Sequence, residues 1–186
     1  ALGHASDELR GDRKVVLSAV SCGGESLREA SDALRADRDF VMEAVLLDGL
    51  ALSGAAEALR GDRDLVMRAA EAGRGIALKG AADGLRADAN FVLELVEQDA
   101  EALSGAAEAL RDDKHFVLRA VGRVGACLRF SPLAFRADRE VVEAAVAADP
   151  SVALYAHAAR RADLMAAAGG AAGAADPGEA GHTGPR

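Results

Sequence analysis

A twelve-residue motif recurs six times at nearly constant spacing, and this constrains the fold more than any other property of the chain. The copies are LRGDRKVVLSAV from Leu9, LRADRDFVMEAV from Leu34, LRGDRDLVMRAA from Leu59, LRADANFVLELV from Leu85, LRDDKHFVLRAV from Leu110 and FRADREVVEAAV from Phe135. The steps between them are 25, 25, 26, 25 and 25 residues. The one extra residue falls at Gly73-Arg74-Gly75, where a turn can absorb it. A second block precedes most copies: SLREASDA from Ser26, ALSGAAEA from Ala51, ALKGAADG from Ala77 and ALSGAAEA from Ala102. The opening ALGHASDE is the same block, so residue 1 is expected to lie inside a truncated repeat. Units this short cannot bury their own apolar face. Stacking them builds one continuous core.

Each repeat holds two apolar segments. In the first, the apolar residues follow an i, i+1, i+4, i+5 pattern, as in Phe40, Val41, Ala44, Val45 and in Phe91, Val92, Leu95, Val96. That spacing makes one stripe on a helix and does not fit a strand. An Asp precedes every such segment: Asp12, Asp37, Asp62, Asp88, Asp113 and Asp138. A carboxylate there can accept the free N–H groups of the first turn and favour the positive end of the helix dipole. In the second segment Leu52, Ala55, Ala56 and Leu59 are spaced as another helical stripe, with small residues that admit a close neighbour. Gly23, Gly24, Gly49 and Gly73 fall between the segments, where helices end.

Pro132 occupies the column of Ala56 and Ala107, deep in the second segment. A helix interior tolerates Pro badly, so Ser131-Pro132 should start a shorter helix, as a cap and first residue. The second helix is therefore expected to be brief, down to a 3₁₀ turn, at least there. The fold class is all-α: an α-solenoid of about six two-helix repeats. Residues 1–165 are assigned to the array. Residues 166–186, rich in Ala and Gly with Pro177 and Pro185, are expected to form a disordered tail.

The combined pattern LRADRxxVxxAV with ALxxASxxLRxD resembles the repeat of domain of unknown function family 4116, over roughly residues 1–160. The resemblance implies tandem helical units and no assigned activity. The chain departs from the pattern at Ala89, Lys114, Pro132, Phe135 and Arg160. The leucine-rich variant repeat is a second resemblance, strongest over FRADREVVEAAVAADPSVAL; it pairs an α-helix with a 3₁₀ helix and also implies an α-solenoid.

Chemistry is sparse. The formal net charge is −8, which disfavours a nucleic-acid binder. No apolar run approaches a membrane span, and Ala1 to Arg10 lack the core of a signal peptide. Cys22 and Cys127 have no CxxC spacing and imply neither a disulfide framework nor a metal site; with no export signal they favour an intracellular location. His4, His115, His157 and His182 fall at unrelated repeat positions, and Ser53 and Ser104 are equivalent copies, unlike a unique nucleophile. No catalytic residue, metal site or cofactor is therefore expected. The binding candidates are the column Arg10, Arg35, Arg60, Arg86, Arg111 and Arg136. A row of guanidiniums could hold an acidic peptide, a phosphate-bearing ligand or RNA. It could equally cover carbonyls or pair with Asp within the stack, and uniform recurrence fits such a joint better. The expected function is a non-enzymatic scaffold for protein partners. Ligand binding through the Arg column, or a regulatory arm of a larger enzyme, are the alternatives.

Overall fold

The computed structural model describes residues 2–163; the expected tail, 166–186, lies outside the described residues. Every described element is helical. Each repeat contains a long α-helix, a six-residue 3₁₀ helix and a short α-helix. The first repeat comprises Arg13–Cys22, Gly24–Glu29 and Asp32–Ala36. The second comprises Arg38–Leu47, Gly49–Gly54 and Glu57–Arg60, and the third Arg63–Glu71, Gly75–Gly80 and Asp83–Ala87. Ala89–Gln98, Ala100–Gly105 and Glu108–Arg111 make the fourth; Lys114–Arg123, Gly125–Phe130 and Leu133–Arg136 make the fifth. The sixth has Arg139–Ala148 and Pro150–Tyr155, and Asp7–Gly11 precedes the first.

The second apolar segment is thus not one helix but two. It breaks at Ala55 and Ala56, whose ψ angles of 161° and 149° are extended. The break turns the Ala56 N–H toward the repeat before, where it donates to Arg35 O at 2.8 Å. The same bond recurs from Ala82 to Arg60 O and from Ala107 to Arg86 O, each at 2.8 Å. A continuous helix would keep these donors for itself, so the break allows one repeat to bond the next. Leu59 consequently packs half-buried at the edge of the core.

The long helices bury the stripe that their sequence marks. Phe40, Val41, Ala44 and Val45 are fully buried, as are Phe91, Val92 and Leu95. One cluster of buried side chains runs from Leu2 to Ala156, so the core is a continuous ridge shared by all repeats. Its 3₁₀ side depends on glycine. A Cβ on Gly105 would lie 2.7 Å from Lys79 N and 2.8 Å from Leu78 Cβ. One on Gly54 would lie 2.6 Å from Arg28 N, and one on Gly80 would meet Ser53 N. Neighbouring 3₁₀ helices therefore stack backbone to backbone through the fourth repeat. Phe130 and Tyr155 occupy the same column in the fifth and sixth repeats, and there the 3₁₀ helices stand further apart. The long helices Lys114–Arg123 and Arg139–Ala148 pack together more extensively than any other such pair.

The inserted residue is Gly73, whose φ of +72° is the left-handed value glycine tolerates. Gly73 N bonds Ala70 O and Arg74 N bonds Ala69 O, the paired bonds of a Schellman cap.

Candidate functional site

The Asp column sits at the N-termini of the long helices. Asp37 Oδ1 accepts from Asp39 N and Phe40 N at 3.1 and 3.0 Å, and Asp88 Oδ1 accepts from Asn90 N and Phe91 N at 3.0 Å each. Asp12 accepts from Lys14 N and Val15 N, Asp62 from Leu65 N, Asp113 from His115 N and Asp138 from Val141 N. The second oxygen faces backward. It takes the cation that follows the previous Asp: Arg13 to Asp37 at 2.7 Å, Arg38 to Asp62 at 2.8 Å, Arg63 to Asp88 at 3.2 Å and Lys114 to Asp138 at 2.8 Å. The guanidiniums of Arg13 and Arg63 also lie over the rings of Phe40 and Phe91, at 4.7 and 4.2 Å. At Ala89 the ladder has a gap, and Asp113 faces no cation among the described ion pairs.

These contacts tune the carboxylates. The Phe40 amide, followed by the Arg13 guanidinium, holds Asp37 below the usual carboxylate range against partial desolvation. Asp88 is lowered first by the Phe91 amide. Asp62 and Asp138 are lowered first by their cations, Arg38 and Lys114.

The Arg column lies at the ends of the short helices, and four of its guanidiniums bond the next repeat. Arg35 Nε donates to Gly54 O at 2.8 Å, Arg60 to Gly80 O and Arg86 to Gly105 O at 3.0 Å, and Arg136 to Tyr155 O at 2.7 Å. Each acceptor is the last carbonyl of the following 3₁₀ helix, which has no partner of its own in that helix. Arg10 uses Nη2 on Gly3 O at 2.9 Å, while its Nε and that of Arg111 are buried without a partner. With the bonds from Ala56, Ala82 and Ala107 to the arginine carbonyls, the column forms a two-pronged clasp, side chain outward and backbone inward. Pro132 has no N–H to donate, so Arg111 lacks both prongs.

A second regularity spans two repeats, and the 25-residue period conceals it. Asp48 Oδ2 accepts from Gly24 N at 2.7 Å and Asp99 Oδ2 from Gly75 N at 2.8 Å, and the column alternates as Asp48, Arg74, Asp99, Val124 and Asp149. Glu43, Arg68, Glu94 and Arg119 alternate on the exposed faces of the long helices. Only the glutamates join the ladder, Glu43 with Arg13 at 3.5 Å and Glu94 with Arg63 at 2.7 Å. Short helices alternate too: five residues for Asp32–Ala36 and Asp83–Ala87, four for Glu57–Arg60 and Glu108–Arg111. The alternation of Asp48, Arg74, Asp99 and Val124 carries this signal in the sequence, but the stronger LRxD period masks it.

The cysteines differ. Cys22 is exposed, whereas Cys127 occupies the small buried column of Ala51, Ala77 and Ala102. Burial, with the Asp99 charge second, pushes its thiol up to about 12, so it packs as an inert small side chain. No helix among the described residues is long and apolar enough to cross a membrane.

No curated protein and no solved structure matches the chain. The family model of the domain of unknown function DUF4116 matches twice in tandem, over residues 37–86 and 88–136. Each match begins at or beside an Asp cap and spans two 25-residue repeats, the same doublet that the alternating side chains define. Together the matches cover just over half of the chain, which therefore belongs to the DUF4116 family.

Proposed function

We propose that the array is a non-enzymatic scaffold whose exposed long-helix faces bind protein partners. One observation carries this reading: recurring positions and varying positions are separated in space. Apart from Leu9, which is exposed, the recurring Leu, Val, Asp and Arg residues pack against the core or are bonded within the stack. The column Lys14, Asp39, Asp64, Asn90, His115 and Glu140 changes chemistry at almost every step and is exposed throughout. A regular frame presenting a changing row of side chains suits recognition of an extended partner. The Arg column supports ligand binding less well, because four of its six Nε groups already hold carbonyls of the stack.

The test replaces this column with alanine throughout and compares recovery of a defined partner by the two proteins. The expected result is loss of the partner with the melting temperature preserved, since none of the six side chains is buried. Partner recovery that ignores the substitutions, or turnover of a substrate by the purified chain, overturns the reading.

A further inference from the structure

In the fifth and sixth repeats, several polar or small columns become apolar at exposed positions. Leu133 stands where the preceding short helices carry Asp32, Glu57, Asp83 and Glu108, and it is 63% exposed. Leu154 stands in the column of Arg28, Ser53, Lys79, Ser104 and Arg129, and it is 57% exposed. Phe130 and Tyr155 replace the stacking glycines and are half-buried. Lone exposed apolar residues are ordinary; a set of them gathered from several polar columns is not.

Two cations lie within this set. The Arg129 guanidinium is 5.3 Å from the Phe130 ring centre and 5.8 Å from that of Tyr155, so one aromatic from each repeat flanks it. Arg129 makes no ion pair among the described residues. Arg136 is fixed by its bond to Tyr155 O. In the first and third repeats the equivalent arginines pair with an acid three residues earlier, Arg35 with Asp32 and Arg86 with Asp83. At Arg136 that acid has become Leu133. The local surface therefore carries two unneutralised guanidiniums framed by apolar groups, in a chain of net charge −8.

We propose that Arg129, Phe130, Leu133, Arg136, Leu154 and Tyr155 form a docking surface for a linear peptide that carries a carboxylate within a residue or two of a bulky apolar side chain. Charge complementarity selects the carboxylate: the stacked Arg129 guanidinium keeps its edge N–H donors free, Arg136 keeps its Nη donors beyond the Nε bond to Tyr155 O, and guanidinium–carboxylate pairs are bidentate. Leu133 and Leu154 offer the contact for the apolar neighbour. Arg136 and Tyr155 tie the surface across the joint between the fifth and sixth repeats, so both must be stacked to form it. The inference rests on the scaffold reading above and adds a second binding place to it.

The experiment pans a random display library of peptides of about twelve residues against the whole chain. The recovered peptides are then titrated against Arg129→Glu, Leu154→Asp and Arg28→Glu, the last as a control in the same column at the other end. The expected result is enrichment of Asp or Glu beside Leu, Ile or Phe. Affinity should fall about tenfold or more in the first two variants, stay unchanged in the control and weaken with added salt. Circular dichroism melts confirm that the variants remain folded. Peptides that are enriched but ignore Arg129→Glu overturn this surface and leave the scaffold reading standing. Failure to enrich any peptide overturns the surface; taken with column substitutions that leave partner recovery unchanged, it overturns both. A concentration-dependent dimer abolished by Leu154→Asp would instead show that a second copy covers the face.

Discussion

The joint between the third and fourth repeats and the joint between the fourth and fifth use the same columns and hold them differently. At the former, Arg63 bonds Asp88, Gly75 N bonds Asp99, Arg86 Nε bonds Gly105 O, Ala107 N bonds Arg86 O, and Gly105 seats its backbone on Lys79. At the latter each partner is replaced: Ala89 for the cation, Val124 for the Asp, Phe130 for the glycine and Pro132 for the donor, with Arg111 Nε left buried and unpaired. The apolar ridge nevertheless continues through Leu103, Phe116, Val117 and Leu128, all buried, and an Arg123–Glu97 pair at 2.6 Å spans the surface. The apolar core is thus enough to keep the stack in register. The polar clasp adds definition to a joint that burial already forms, consistent with the modest net worth of single hydrogen bonds beside buried side chains.

The sharpest way to break this contrast is to move the loose joint's residue into the tight one. Gly105→Phe drives a ring into the Lys79 backbone and should cost about 3 kcal/mol or more, since overpacking against backbone cannot relax by rotamer change. Urea titration reads it directly. A loss below about 1 kcal/mol would mean that the 3₁₀ helices separate easily and that glycine is not what seats them.

Much of that contrast is legible in the amino-acid sequence, and part of it is not. The long helices, their Asp caps and the continuous core follow from the i, i+1, i+4, i+5 stripe and the Asp ahead of it, because a short helix must be capped and must bury that face. Pro132 marks an irregular repeat, but it precedes the short helix Leu133–Arg136 instead of opening it, and Ser131 Oγ donates to Cys127 O instead of capping; its consequence reaches Arg111, 21 residues earlier, through a bond no local pattern encodes. The break at Ala55-Ala56 is hidden for the same reason: Leu52, Ala55, Ala56 and Leu59 satisfy a helical period, and only the Arg35 carbonyl of the previous repeat makes the extended backbone worthwhile. For the Arg column, recurrence points to a joint and leaves the acceptor open between Asp and carbonyl; the structure places carbonyls on the Nε of four of the arginines and adds an Asp of the same short helix at Arg35 and Arg86.

A second comparison removes the same side chain on both sides. Arg86→Ala leaves the Gly105 carbonyl without its donor at a part-buried site and should cost about 1.5 kcal/mol. Arg111→Ala should cost markedly less, because its Nε has no partner to lose. Equal losses would show that the column stabilises through its aliphatic stem.

The caps should separate by less. Asp88→Ala removes the acceptor of two amide N–H groups and an ion-pair partner, and Asp113→Ala removes the acceptor of one amide N–H. The former should lower the denaturation midpoint measurably and the latter by less. The acid limb of stability should follow the same residues. Asp37, Asp62, Asp88 and Asp138 have folded pKa values below their unfolded ones. Their contribution is therefore complete above the unfolded value of about 4, and it is lost as pH falls through the lower folded values. Denaturation midpoints should hold steady from neutral pH to about 5 and then fall, with a shallower fall in Asp88→Asn. A midpoint that drops between pH 7 and 5 would point to other groups.

The smallest expected effect is the repair of the gap itself. Ala89→Arg supplies the cation that Asp113 lacks, at a position where the equivalent pairs are 2.7 to 3.2 Å long and their side chains between 23% and 47% exposed. Screening and side-chain entropy limit such a pair, so a gain of about 0.5 kcal/mol is expected, fading as salt is raised toward 1 M. The new side chain would also sit beside Phe116, which occupies the column of Phe40 and Phe91, where Arg13 and Arg63 stack. That stacking is less sensitive to salt than the ion pair. A gain that survives high salt would therefore assign the ladder's strength to the ring, and one that vanishes would assign it to the carboxylate. No gain at all would mean that the loose joint is set by Phe130 and Pro132 on the 3₁₀ side, beyond the reach of a contact between the long helices.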